Sequence, residues 1–118
     1  MEIAADAFRT YATRAQSFNI AVGCYVIMPN HIHLFVCGAH DFVLAEWMKG
    51  LKRGISNAFR AARERFQWQP GFFDHLIRNE ESYGEKWNYV RENPVRAGFV
   101  TNADDWPHQG EIVYIDRA

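Results

Sequence analysis

Two apolar runs rich in β-branched and aromatic residues, 19–28 and 31–37, are separated only by Pro29 and Asn30. A linker this short makes an antiparallel hairpin the natural fold, closed by Gly38-Ala39-His40. Successive side chains on a strand alternate faces, so His31 and His33 project together while Ile32 points the other way into a core. Two imidazoles held at a fixed separation can share one divalent ion, because neutral imidazole is a good metal ligand. In an arbitrary protein such a pair more often just happens to sit on a half-wet strand. The balance shifts here because a later helix offers a tyrosine and an amide on one polar face.

A chain of 118 residues, 48% hydrophobic and 23% charged, suits a single domain across 1–118 with a modest core. The net charge of −1 gives no whole-molecule field for nucleic acid, so any such binding must come from a local patch. Cys24 and Cys37 fall one on each apolar run and read as reduced packing residues of a cytosolic protein. Met1-Glu2-Ile3-Ala4-Ala5-Asp6 lacks the basic flank and apolar segment of a signal peptide, and no run reaches membrane-spanning length. A cytoplasmic location is expected.

Ala4, Phe8, Tyr11 and Ala15 recur at helical spacing and predict an amphipathic helix over residues 2 to about 17. After the hairpin, Asp41 can cap a long helix to about Phe66, with Trp47, Met48, Leu51, Ile55 and Phe59 in its buried stripe. Gly50 and Gly54 each weaken that helix by roughly 1 kcal/mol relative to Ala, which suggests a bend or a close backbone approach. Lys49, Lys52, Arg53, Arg60, Arg63 and Arg65 outnumber Glu46 and Glu64 between positions 46 and 65, giving the molecule its one basic face. Such a face is usually just solvated, yet here it is the one plausible track for a phosphate backbone. Residues 67–71 break the helix and 72–78 read as a strand, on which Asp74 and His75 should face opposite sides. A second helix starts at Asn79 or Glu80 and should stop at Asn93-Pro94, since a residue before proline avoids the helical region. The tail is mostly loop, with Trp106-Pro107 as an anchor and 112–115 as a short last strand.

At 100° per residue, Tyr83, Trp87 and Val90 form the core face of the second helix, while Ser82, Lys86, Tyr89 and Asn93 form its polar face. A lone polar-face tyrosine is usually an amphipathic surface residue. One with an amide a turn later, a lysine a turn earlier and a His-x-His elsewhere is a candidate nucleophile. The Asn93 carbonyl could complete a metal site with His31 and His33, leaving positions open for substrate oxygens.

These residues resemble the single-tyrosine HUH transposases of insertion sequences, and among them the REP-associated tyrosine transposases. The resemblance is carried by MPNHIHLF at 28–35, WMKGLKR at 47–53, WQPGFFDH at 68–75 and ESYGEKWNYVRENPVRAGFV at 81–100. It implies an α+β, ferredoxin-like antiparallel sheet with helices packed on it. It also implies that His31 and His33 are paired metal ligands, Tyr89 the nucleophile, and Asn93 the match to an amide that is often Gln in relatives. Relatives usually begin with a further strand, interior in the sheet, so this chain reads as N-terminally shortened. The gap should then be covered by the tail strand or a partner, or the chain is a less active descendant.

The implied chemistry is cleavage and rejoining of single-stranded hairpin DNA with Mg2+ or Mn2+, through a 5′-phosphotyrosine link and a free 3′-hydroxyl. Phosphate contacts would come from Lys49, Lys52, Arg53, Arg60 and Lys86, and stacking from Trp68. A homodimer in which Tyr89 serves a partner's site is compatible with this. Two other classes stay open: a DNA-binding remnant that does not cleave, and a metal-dependent nuclease using water, with Tyr89 a bystander.

Overall fold

The computed structural model describes residues 1–38, 43–65, 73–77 and 83–114, and for 73–77 and residue 83 the description is of the backbone. Helix α1 (Glu2–Arg14) leads through a 3-10 turn (Ala15–Phe18) into strand β1 (Ile20–Met28). Asn19 makes that junction in the left-handed region, at φ 59°, which asparagine tolerates better than most residues. Strand β2 (His31–Gly38) pairs antiparallel with β1, and Met28 opposite His31 closes the Pro29-Asn30 turn. Then come helix α2 (Leu44–Ala61), strand β3 (Phe73–Ile77), helix α3 (Tyr83–Val90), the helical turn α4 (Asn93–Arg96) and strand β4 (Gln109–Glu111).

The sheet has the order β3-β2-β1-β4. Strands β4, β1 and β2 form the antiparallel part, as the α+β class requires, and β3 joins β2 in parallel. In an all-antiparallel sheet the two neighbours of an interior strand run the same way, so β2 and β3 can pair directly where no strand lies between them. Among the described residues β3 lies along the edge of β2, and the tail strand does not. The tail strand lies on the opposite edge, against β1, and centres on 109–111, earlier than expected. Its ladder continues through Ile112 and Val113, whose N–H groups donate to Gly23 and Val22.

Alternation along β2 divides the core. Ile32, Leu34 and Val36 pack with Phe8 of α1 and with Leu51 and Ile55 of α2. Phe35 faces the other way and joins Cys24, Val26, Met28 and Val90, with Trp87 and Trp106 against them. On β1 a register shift between Val22 and Tyr25 changes the parity, so that Val22, Tyr25 and Ile27 share the first core although the first two are an odd number of positions apart. The result is three layers: α1 and α2, the sheet, and α3 with the tail. Both cysteines are free thiols, as expected.

Several boundaries shift from expectation. The first helix stops at Arg14 and tightens into the 3-10 turn. Helix α2 starts after Val43 with no side-chain cap and ends at Ala61; Asp41 and Phe66 lie outside the described residues. The close approach at Gly50 is present: a Cβ there would sit 1.9 Å from the Tyr11 hydroxyl, which donates to the Trp47 carbonyl at 3.2 Å. At Gly54 the nearest such contact, 3.7 Å, is ordinary. Asn93-Pro94 does not end the helical course. Helix α3 already ends at Val90, and Asn93 opens α4, where Pro94 occupies a first-turn position at which its missing N–H costs nothing.

Candidate active site

The alternation that buries Ile32 puts His31 and His33 on the α3 side of the sheet, both half-buried. Helix α3 is held over this side by Val90 and by Trp87, whose ring meets Phe35 edge-on at 6.2 Å. Its polar face and the turn after it are thereby brought to the histidines' side of the sheet.

The imidazoles converge. His31 Nε2 and His33 Nε2 lie 2.8 Å apart, with ring centroids at 4.5 Å and planes nearly perpendicular. His31 Nδ1 lies 2.6 Å from Asn30 Oδ1, and in the tautomer that donates from Nδ1 to this oxygen the Nε2 lone pair is available to a metal. Two nitrogens bound to one ion at about 2.1 Å and at right angles would be roughly 3 Å apart, so the pair fits a shared divalent cation with little rearrangement. Asn30 stands where an outer hydrogen bond would fix the tautomer of His31 if that ring held a metal.

Asn93 faces the same place. A cleft of about 490 Å³ is lined on one side by Met28, Pro29, Asn30 and His31, and on the other by Asn93, Arg96, Ala97 and Phe99. Asn93 Oδ1 accepts from Arg96 Nη2 at 3.0 Å, and its Nδ2 is buried without a hydrogen-bond partner. A buried amide nitrogen left unpaired costs free energy and is uncommon outside functional sites. The donor set of two imidazoles and an amide suits a divalent cation. Among the described residues no group of three His, Cys, Asp or Glu side chains could hold a metal, and the Asn93 amide is a further oxygen donor on the histidines' side of the sheet.

Tyr89 is not part of the cleft lining. It is 67% exposed, and the Arg96 guanidinium lies over its ring, 4.1 Å from Cζ to the centroid. Arg96 Nη2 also donates to the Tyr89 carbonyl at 2.9 Å, so one side chain links the tyrosine to the amide and the cleft. Lys86 is exposed on the same helix. The structure thus puts His31 against His33 and Asn93 in a cleft with His31, and leaves Tyr89 outside the lining of that cleft.

Lys49, Lys52, Arg53 and Arg60 are all exposed on α2. That helix packs on the other core, so the sheet lies between the basic face and the histidines. Trp68 and Ser82 lie outside the described residues, as do the side chains of Asp74 and His75; the β3 backbone puts Asp74 beside His33 in the ladder.

Sequence reasoning missed Asn30 and Arg96. The sequence marks Asn30 only as a turn residue, although its place next to His31 is a signal. Arg96 stands three residues after Asn93 and seven after Tyr89, a helical spacing that the expected stop at Pro94 concealed. No described helix is long and apolar enough to cross a membrane.

The family model described as "Transposase IS200 like" matches residues 2–93. The chain is 33% identical over 90 residues to the REP-associated tyrosine transposase of Escherichia coli K12, covering 73% of this chain and 51% of that protein. A putative REP-associated tyrosine transposase of Haemophilus influenzae is 30% identical over 94 residues, covering 70% and 53%. An uncharacterized protein of the same organism is 26% identical over 94 residues, covering 60% and 52%. No solved structure matches the chain significantly. The chain spans about half the length of the curated relatives it matches. With the match running across the hairpin that carries His31 and His33 and through α3 to Asn93, the chain belongs to the IS200-like transposase family.

Proposed function

We propose that this chain cleaves and rejoins single-stranded DNA at hairpin ends, with Tyr89 as nucleophile and with His31, His33 and Asn93 holding Mg2+ or Mn2+. The observation that carries the reading is the convergence of the two Nε2 atoms on the side of the sheet where Asn93 shares a cleft with His31. Bound there, a divalent cation would polarise a phosphoryl oxygen and offset charge developing on the phosphate. The Tyr89 hydroxyl attacks phosphorus as its proton passes to solvent. The Oη–P bond forms, the bond from phosphorus to the 3′ oxygen breaks, and that oxygen takes up a proton. The products are a 5′-phosphotyrosine and a 3′-hydroxyl, and the reverse attack rejoins the strand. Asn30 keeps His31 in the tautomer that presents Nε2, and Arg96 sets the spacing between Tyr89 and Asn93.

The exposure of Tyr89 outside the cleft favours a second arrangement, in which it serves the site of another copy in a homodimer. The test is incubation with a labelled single-stranded hairpin library and Mn2+, followed by denaturing electrophoresis. A covalent protein–DNA adduct is expected. Cleavage without an adduct would indicate water as nucleophile, and binding without cleavage would indicate a non-cleaving DNA-binding relative. Mixing Tyr89→Phe with His33→Ala tests the second arrangement, since adducts would return only if the tyrosine acts across copies.

A further inference from the structure

Phe99 stacks on Trp106, with ring centroids 5.5 Å apart and planes 17° from parallel. Trp106 is itself fixed, because its Nε1–H donates to the Ile27 carbonyl at 3.0 Å and its ring meets His108 edge-on at 5.4 Å. One face of Phe99 is therefore covered, yet the residue is 51% exposed, so its exposure falls mainly on the other face. A lone exposed phenylalanine would need no explanation. This one is rigidly backed, stands in a concave site, and shares that site with His31, Asn93 and a cation.

The cation is Arg96. Both of its hydrogen bonds in the site leave from Nη2, and a guanidinium carries five N–H donors in a planar fork. The described residues lining the cleft include no carboxylate, so its side-chain charge is positive. A flat apolar face beside a guanidinium matches a flat π-system joined to an anion, and the cleft volume suits a ligand of small-molecule size.

We propose that Phe99 and Arg96 form a subsite for one unpaired nucleotide flanking the scissile phosphate, its base on Phe99 and its phosphate on Arg96. The proposal rests on the single-stranded DNA reading above and adds the place where the strand is gripped. Stacking accepts any base, so the subsite positions the strand without reading its sequence. Trp106 keeps the shelf rigid, which limits the conformational freedom lost on binding.

The test measures binding of the full chain to a hairpin oligonucleotide with a single-stranded flank. Anisotropy reports affinity, and 2-aminopurine placed at successive flank positions reports stacking by its quenching. The parent chain should quench one flank position. Phe99→Ala and Phe99→Leu should lose that quenching and bind roughly 5- to 100-fold more weakly, while Phe99→Trp should keep both. Leucine keeps the apolar contact with Trp106 but has no π-face, and thermal unfolding verifies that each variant is folded. Phe18→Ala, at a residue 74% exposed and absent from the cleft lining, should change neither readout. Arg96→Gln should reduce the slope of log affinity against log salt by about 0.7, the value for one phosphate on a single strand. Unchanged affinity and quenching in Phe99→Leu and Phe99→Ala, with the parent binding DNA, would overturn the subsite alone. Failure of the parent chain to bind any single-stranded hairpin would overturn the functional reading and the subsite with it.

Discussion

The two faces of the sheet do different work. Against α1 and α2 the face is closed: Phe8, Val22, Ile27, Ile32, Leu34, Leu51 and Ile55 are fully buried side chains. Toward α3 the core is smaller, resting on Cys24, Val26, Met28, Phe35 and Val90, and it gives way at the end of β2 to two imidazoles, an amide and a cleft. A single strand serves both faces, with Ile32 and Leu34 in one core and His31 and His33 in the site between them. The difference shows how a small domain keeps polar side chains near its surface without weakening the fold: the period of two sends the polar groups to the thinner layer.

The largest expected effect tests that division on the chemical side. Tyr89→Phe removes the oxygen proposed to attack, with almost no change in volume, so adducts should vanish while DNA affinity and thermal stability stay at parent values. Tyr83→Phe, at a position that the sequence periodicity alone assigns to the core face, should retain adduct formation. The reverse pattern on a denaturing gel would reassign the nucleophile.

Neighbours on β2 give the next contrast. His31→Ala or His33→Ala should abolish metal-dependent cleavage and weaken Mn2+ binding measured by calorimetry, yet cost about 1 kcal/mol or less of stability. Leu34→Ala, one residue along, should cost about 2–5 kcal/mol in chemical denaturation, because it leaves a cavity in the closed core. Comparable stability losses at positions 33 and 34 would break the comparison between the faces.

A smaller effect is expected at Gly50. Alanine is the better helix former by about 1 kcal/mol, yet here its methyl meets the Tyr11 hydroxyl, so Gly50→Ala should destabilise by roughly 1–3 kcal/mol. Adding Tyr11→Ala should make the Gly50 change favourable, a sign reversal that a double-mutant cycle would reveal.

The mildest prediction concerns the basic face of α2, behind the sheet. Neutralising Lys52, Arg53 and Arg60 together should flatten the salt dependence of single-strand binding by about 2 in log–log slope if all three touch phosphate. A change near zero, beside a clear loss for Arg96→Gln, would route the DNA past α3 and free α2 from any role in the contact.

Much of this arrangement was legible from local pattern. Pro29-Asn30 between two apolar runs specified the hairpin, and the alternation of His31, Ile32 and His33 specified which residues share a face. Helical angle separated Val90 and Trp87 from Tyr89 and Lys86, and those four stand as expected, two packed and two exposed. These inferences hold because backbone periodicity is a short-range property, set by neighbouring dihedral angles.

What local pattern could not supply was the partner of each element. That β3 lies parallel against β2, that the tail strand takes the far edge, and that the basic helix falls behind the sheet depend on contacts between segments far apart in the chain. Arg96 makes the same point on a smaller scale. Its bonds to Tyr89 and Asn93 exist because Pro94 restarts the helix, and whether a proline ends a helix or opens the next turn is decided by the packing around it. Side-chain identity and spacing named His31, His33, Tyr89 and Asn93 as candidates; only the packing of α3 across the sheet put Asn93 in the cleft with His31 and left Tyr89 outside it, because that placement depends on the burial of Val90, Trp87 and Phe35 together.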